Sequence, residues 1–324
     1  MTAFFRVLWG WGCLCLVTTT LVPLGAFYSQ YGDVVAFQRT TAAQNADIYV
    51  VDVITGLTIN LTQHPDSDRL PAWSPDGEWL VYQSLQEQVQ APETLYRVPY
   101  RTGASPEPLL PMGVIGTLPD WSPDGCCIAF SAYDNNTFSN NTHILHLETG
   151  DVWNAVPTPG LNQLAVAWSP DGTQVAFAAS DHDFTDRRVY LASVEVPADG
   201  DGTTPDIPPP LTDITGEGYF VTPMWTHDGA TVFVVDTLPR REAADTLYRA
   251  DAHAPVDLQP VVGSGDVNLP AISADGEWMV YSTQDSRDRN NEVLYISRID
   301  GTDVRQLTRG RGGYVQDTAP VWRP

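Results

Sequence analysis

One heptapeptide returns along this chain in near-constant phase, and self-similarity at that spacing restricts the fold to repeat architectures. Pro71-Ala72-Trp73-Ser74-Pro75-Asp76-Gly77 recurs as Pro119-Asp120-Trp121-Ser122-Pro123-Asp124-Gly125 and as Val166-Ala167-Trp168-Ser169-Pro170-Asp171-Gly172. Looser copies are Pro223-Met224-Trp225-Thr226-His227-Asp228-Gly229 and Pro270-Ala271-Ile272-Ser273-Ala274-Asp275-Gly276, and Pro320-Val321-Trp322-Arg323-Pro324 is a shortened one. Glycine to glycine, the steps are 48, 47, 57 and 47 residues. A period of ~40–50 residues with strand-like content is that of β-propeller blades.

Each copy has the same physical logic. Pro presets φ, Asp bonds its own backbone, and Gly supplies a positive φ, so Ser-Pro-Asp-Gly is a tight turn. Asp76 and Gly77, Asp124 and Gly125, Asp171 and Gly172, Asp228 and Gly229, and Asp275 and Gly276 are therefore turn residues. A buried strand is predicted after each turn, at Trp79–Ser84, Ile128–Ala132, Val175–Ser180, Val232–Thr237 and Trp278–Thr283. A third strand follows a variable loop, at Thr94–Val98, Thr142–Leu147, Arg188–Val194, Thr246–Ala250 and Glu292–Ile299, and a short fourth ends near Leu211-Thr212 or Leu307-Thr308. Composition agrees: Asp outnumbers Glu 30 to 10, and turn-forming Gly and Pro number 25 and 26. The tryptophans Trp73, Trp121, Trp168, Trp225 and Trp322 are structural, each able to bury ~150–250 Å² between blades.

The termini show how the ring closes. Residues 33–39 match the second strand of a blade with no Trp strand before them, Asp47–Val53 the third and Thr58–Thr62 the fourth. The missing first strand is Ala319–Trp322 at the other end, and pairing the two ends removes two open sheet edges. The expectation is an all-β, six-bladed β-propeller of four-stranded blades over residues 33–324, its N-terminal blade completed by the C-terminal strand.

These motifs carry a family resemblance. The Trp-Ser-Pro-Asp-Gly turn, the Ile-Ala-Phe-type strand after it and the Ile-Tyr strand before Leu-Thr resemble the TolB-like β-propeller repeat over roughly residues 33–324. TolB proteins also carry an N-terminal α/β domain, for which no counterpart is expected in this sequence, so the resemblance implies the propeller alone and leaves the Tol–Pal role open. Similar propellers precede the hydrolase domain of prolyl oligopeptidase-like peptidases, but no Gly-x-Ser-x-Gly nucleophile elbow occurs here.

Residues 1–32 read as an address. After Arg6, the uncharged run from Val7 to Ala26 is long enough to cross a bilayer, which takes ~20 residues. It also has the apolar middle of a signal peptide, though Leu24 is a poor residue at the −3 position for cleavage after Ala26. The chain is expected to be exported, either anchored with its propeller outside the cytoplasm or released to the periplasm or exterior. A formal net charge of −23, with every basic residue an arginine, disfavours nucleic acid and anionic lipid as partners. Membrane contact is expected through the N-terminal segment only, and the propeller is expected to be monomeric.

Cysteine supplies no disulfide framework. Cys13 and Cys15 lie in the leader, and Cys126 and Cys127 are adjacent. As strand neighbours these last two should point to opposite faces, which strains out a disulfide and leaves two small apolar residues.

Function is expected on the irregular face, where loops between second and third strands meet those leading into the Trp strands. Asp66, Asp68 and Arg69 precede one Trp strand and Arg309, Arg311, Tyr314 and Asp317 another; the two are ring neighbours, so these residues are candidates for a polar pocket near the axis. Tyr133 to Thr142 reads as a hydrated surface loop. No cofactor is evident. The segments 181–186 and 199–202 offer oxygen ligands for a structural calcium but lack EF-hand spacing. His143 and His146 should face opposite sides of a strand, and His64, His227 and His253 have no visible partners. No residue is assigned a catalytic role. The function expected is an exported, non-enzymatic binding or scaffold propeller holding a protein, peptide or glycan on its loop-rich face. The alternative is a metal-assisted saccharide lyase or hydrolase with its site at the channel mouth.

Overall fold

A strand whose consecutive residues are all apolar needs a partner on each of its faces. Val34-Val35-Ala36-Phe37 is such a run, and in the computed structural model of the protein both faces are covered. Val34 and Ala36 pack with Leu80, Tyr82 and Val98, whereas Val35 and Phe37 pack with Val280, Leu294 and Ile296. The division recurs at Cys127-Ile128-Ala129-Phe130. There Cys127 and Ala129 join Val175 and Phe177, while Ile128 and Phe130 join Val81 and Leu95. Sheets thus stack face to face, and burying each such side chain contributes ~1.5–3 kcal/mol.

The structure describes residues 34–324 apart from 44, 64, 86–93, 102, 112–113, 182–185, 198–201, 238–244, 255, 262–266 and 311–313. The leader, Asp33, His64, Arg311, most of 181–186 and residues 199–201 lie outside the described residues. Every element among the described residues is a strand or a turn. Four sheets have four antiparallel strands each, in the order first to fourth that the repeat predicts. Their first strands are Ser67–Trp73, Thr117–Trp121, Asn162–Trp168 and Phe220–Trp225. A fifth sheet holds two such sets, one opening with Asn268–Ile272 and the other with the C-terminal strand Val315–Trp322. The two sets meet through one parallel pair, Glu292 with Gln316.

Val315–Trp322 pairs antiparallel with Val34–Thr41, so the two ends of the described chain share one sheet. Arg323 extends the connection: its backbone N–H donates to the Val34 carbonyl at 2.8 Å and its Nε to the Gly77 carbonyl at 3.0 Å. The first strands neighbour one another in chain order, and the C-terminal one lies against both Asn268–Ile272 and Ser67–Trp73.

Predicted strands fall within a few residues of those observed. The second strands are Trp79–Leu85, Cys127–Asp134, Gln174–Ser180, Thr231–Asp236 and Trp278–Gln284. One expectation fails. Tyr133 to Thr142 is no hydrated loop: only 135–138 form the turn, and Ser139–His146 is a strand. Asn141 is fully buried there, where its Oδ1 accepts the Thr158 N–H at 2.9 Å and an Asn154 amide hydrogen at 3.2 Å. Gln163 completes the network by accepting the Thr142 N–H at 2.8 Å and donating to the Val156 carbonyl at 2.7 Å. A polar run suggests water, but a fully hydrogen-bonded amide can stand in a core instead.

Candidate functional site

Each first strand breaks its ladder at one repeated place. Register shifts fall between Arg69 and Ala72, Thr117 and Asp120, Leu164 and Val166, Val221 and Met224, and Asn268 and Ala271. Inside them, and at the matching point of the C-terminal strand, Leu70, Leu118, Ala165, Thr222, Leu269 and Ala319 are left-handed, at φ from +38° to +53°. Such a conformation costs a non-glycine residue ~1–3 kcal/mol, and the surrounding sheets hold it in place. In all but one case proline follows, which has no N–H to lose from the interrupted ladder.

These bulges line a shared cavity of about 430 Å³. Its wall is apolar, built from residues such as Leu118, Met224, Trp168 and the bulge prolines. Pro170, His227 and Ala274 also line it, so the cavity sits toward the tight-turn ends of the first strands. The loop-rich end had been expected to hold the site, and many of its residues lie outside the described set.

Among the equivalent first-strand positions of the wall, one is chemically different. Two residues past the left-handed position stands Ala72, Ala167, Met224, Ala271 or Val321 in the other repeats and Asp120 in this one. Asp120 accepts the Trp168 backbone N–H at 2.7 Å, tying its strand to the next first strand. Asp120 lines the cavity and is half-buried, and burial of its carboxyl pushes its pKa up to about 6 against the pull of that N–H. The sequence shows the departure, but only the cavity gives it meaning.

The expected candidates sit in different surroundings. Asp317 is fully buried, accepting Arg39 Nε at 2.6 Å, Arg39 Nη2 at 2.7 Å and the Thr308 hydroxyl at 2.5 Å. Burial pushes its pKa upward and Arg39 opposes the shift. The guanidinium also lies 4.8 Å from the Tyr49 ring centroid. Asp66 and Asp68 are buried too; Asp68 accepts the Ser84 hydroxyl at 2.6 Å, and Tyr82 is raised by burial and by these two carboxylates. Arg69 donates to the Ser67 hydroxyl at 3.2 Å. Arg309 is exposed and lines an outer cleft of about 630 Å³ with Arg39 and Arg305, while Tyr314 is exposed nearby in sequence.

The turn acids are occupied locally. Asp76 accepts from the Ser74 hydroxyl at 2.5 Å and the Glu78 N–H at 2.9 Å, and Asp124, Asp171, Asp228 and Asp275 repeat the pattern. The hydroxyl bond holds Asp76, Asp171, Asp228 and Asp275 below the ordinary carboxylate range. The tryptophans pin neighbouring first strands: Trp73, Trp225 and Trp322 donate their indole N–H to the carbonyls of Val321, Ala167 and Ala271. Of the oxygen-rich segments, Asp186 is engaged by Arg188 at 2.5 Å and by the Gly218 N–H at 2.8 Å. His143 lies against the Phe130 ring at 5.9 Å between centroids, whereas His146 faces Cys127.

The cysteine expectation is overturned. Cys126 and Cys127 do not point apart; their sulfurs lie 2.7 Å from each other. Alternation governs residues within a strand, and the strand begins at Cys127. Cys126 belongs to the preceding turn and is free to swing onto the same side.

No family model matches this sequence, and no curated protein matches it. Solved structures do. TolB from Acinetobacter baumannii aligns with 91% of this chain and 67% of its own, at 19% identity and a TM-score of 0.71. The fold is a TolB-like β-propeller. Other propellers agree: a chain of the nidogen/laminin complex gives a TM-score of 0.62 at 9% identity, covering 90% of this chain and 99% of that one. Oligogalacturonate lyase from Vibrio parahaemolyticus gives 0.54 at 15% identity, covering 85% of this chain and 79% of its own. At these identities the likeness is one of fold, and the propeller's activity has to be argued from its own residues.

Proposed function

We propose that this chain is an exported six-bladed propeller, closed by its C-terminal strand, that binds a partner polypeptide through a cationic side chain entering the axial cavity. The six-bladed reading rests on the six four-stranded sets and on first strands that neighbour one another back to the beginning. Export rests on the apolar leader.

Asp120 carries the binding reading. The Asp120 carboxylate among Pro, Leu, Met and Trp side chains suits an arginine or lysine, whose aliphatic stem takes apolar walls and whose head takes the acid. Arg323, also in the wall, is engaged by the Gly77 carbonyl at 3.0 Å. The volume, about 430 Å³, lies within the ~300–1,000 Å³ of binding pockets. A net charge of −23 draws a cationic partner toward the surface. A rim of tight, repeated turns keeps the cavity preformed, so little ordering free energy is lost on binding.

A photo-crosslinking residue at Leu118, in the full chain in its native host, should capture a polypeptide. Filling the cavity with Ala271→Trp should abolish the crosslink, and Asp120→Asn should weaken the purified interaction by roughly tenfold, the worth of one charge-assisted hydrogen bond. Crosslinks indifferent to Ala271→Trp would remove the cavity from the binding reading. Divalent-dependent cleavage of an acidic polysaccharide, lost in Asp120→Asn, would replace that reading with the enzymatic one.

A further inference from the structure

Strand register brings two kinds of soft-metal donor together on one face. Cys127 opens its strand directly opposite His146, and opposed residues hold their Cβ atoms ~4.5–5.5 Å apart. Cys126 is positioned by the turn instead: Asp124 accepts its N–H at 3.1 Å, and its carbonyl accepts the Leu147 N–H at 2.9 Å. Its sulfur then meets that of Cys127 at 2.7 Å. Two thiols and an imidazole consequently place their donor atoms within 4.8 Å of one another. Cys127 and His146 are buried and Cys126 is half-buried, which gives the group an inner wall and an opening to solvent. The Thr149 N–H donates to His146 Nδ1 at 3.3 Å, so without metal the ring proton sits on Nε2. Ligation either displaces that bond at Nδ1 or moves the proton from Nε2 to Nδ1.

We propose that Cys126, Cys127 and His146 form a binding site for a soft or borderline transition-metal ion, Zn²⁺ or Cu⁺. Thiolate sulfur and imidazole nitrogen are the donors these ions prefer, at ~2.3 Å and ~2.0–2.1 Å. Donor atoms spread over no more than 4.8 Å can surround one such ion. Two sulfurs on one tetrahedral ion stand about 3.8 Å apart at that bond length, so Cys126 must rotate outward slightly, which its half-buried position allows. Each thiol gives up its proton as its sulfur–metal bond forms, so the ion displaces two protons to solvent. The bound ion would clamp the start of a second strand to the end of a third. This function is local and independent of the axial cavity.

The test uses the full chain with Cys13→Ser and Cys15→Ser, reduced and metal-free, titrated with Cd²⁺ and then with Zn²⁺. One equivalent of Cd²⁺ should bind and produce the ultraviolet thiolate-to-cadmium charge-transfer band, and Zn²⁺ should displace it. Cys126→Ser should abolish the band while leaving a cooperative melt, because the residue is half-buried. His146→Gln should weaken binding at least about tenfold, since loss of even an outer-shell partner costs ~10–100-fold. A band that survives Cys126→Ser, or an affinity indifferent to His146→Gln, overturns the proposal. So does a thiol titration showing that protein isolated without reductant carries the pair as a disulfide.

Discussion

The tight turns and the seam between the chain ends join strands of the same kind by opposite means. At the turns one short pattern recurs: Ser74 to Asp76, Ser122 to Asp124, Ser169 to Asp171, Thr226 to Asp228 and Ser273 to Asp275. Every bond there spans a few residues, so each turn can form alone and losing one leaves the rest. At the seam, Arg39 reaches Asp317 across 278 residues, and strand pairing there exists only when the whole chain has folded. Redundant local order thus frames a connection made once. Stability should be far more sensitive at the seam than at any turn.

The harshest test of that contrast removes the seam. Deleting residues 319–324 takes away half of the C-terminal strand and the Arg323 contacts, exposing the edge of Val34–Thr41. Loss of cooperative melting and aggregation on size-exclusion chromatography are expected. A truncated chain that melts like the parent would mean that the seam carries no more than a turn does.

Next in size is Asp317→Ala, which leaves the Arg39 guanidinium, 14% exposed, without its partner. The expected loss is about 3–5 kcal/mol by chemical denaturation. Replacing both residues, Arg39→Met with Asp317→Leu, should recover most of it, because no charge is then buried alone.

Within a single turn, Gly125→Val should cost about 1–3 kcal/mol, since Gly125 sits at φ +77°, where a β-branched residue is strained. The effect should be confined to its own sheet, as hydrogen exchange across Cys127–Asp134 against Thr231–Asp236 would show.

The smallest expected effect is of opposite sign. Asp120 titrates near 6 when folded against 3.8 ordinarily, so between those values the folded state binds more protons than the unfolded one. Its contribution therefore declines as pH rises from about 4 to about 6 and is flat above. Asp120→Asn should remove that slope and stabilise the protein by about 1–2 kcal/mol at pH 7, the relief from a buried charge less the weaker bond to Trp168. The turn acids act in the other direction. Asp76, Asp171, Asp228 and Asp275 are held low by their Ser or Thr hydroxyls, so their contribution is present at neutral pH and lost as acid protonates them.

The sequence by itself determined the repeat, the turn chemistry, the strand order and the partnership of the two ends, because all of these rest on local conformational preference and on a periodic pattern. The candidate site was far less legible. Asp120 stood in plain view inside a repeat, yet its distinction from Ala72 or Ala167 depends on which way a bulged strand turns and on what stands across the cavity. Asp317 and Asp68 looked like pocket acids, and tertiary packing made them interior partners of Arg39 and Ser84. Asn141 looked like a solvent-facing loop residue until residues elsewhere in the chain supplied its hydrogen bonds. The Cys126–Cys127–His146 group needed an inter-strand register and the one-residue position of a strand's start. Such matters are decided by long-range pairing, because a side chain's fate depends on neighbours that only the assembled fold brings to it.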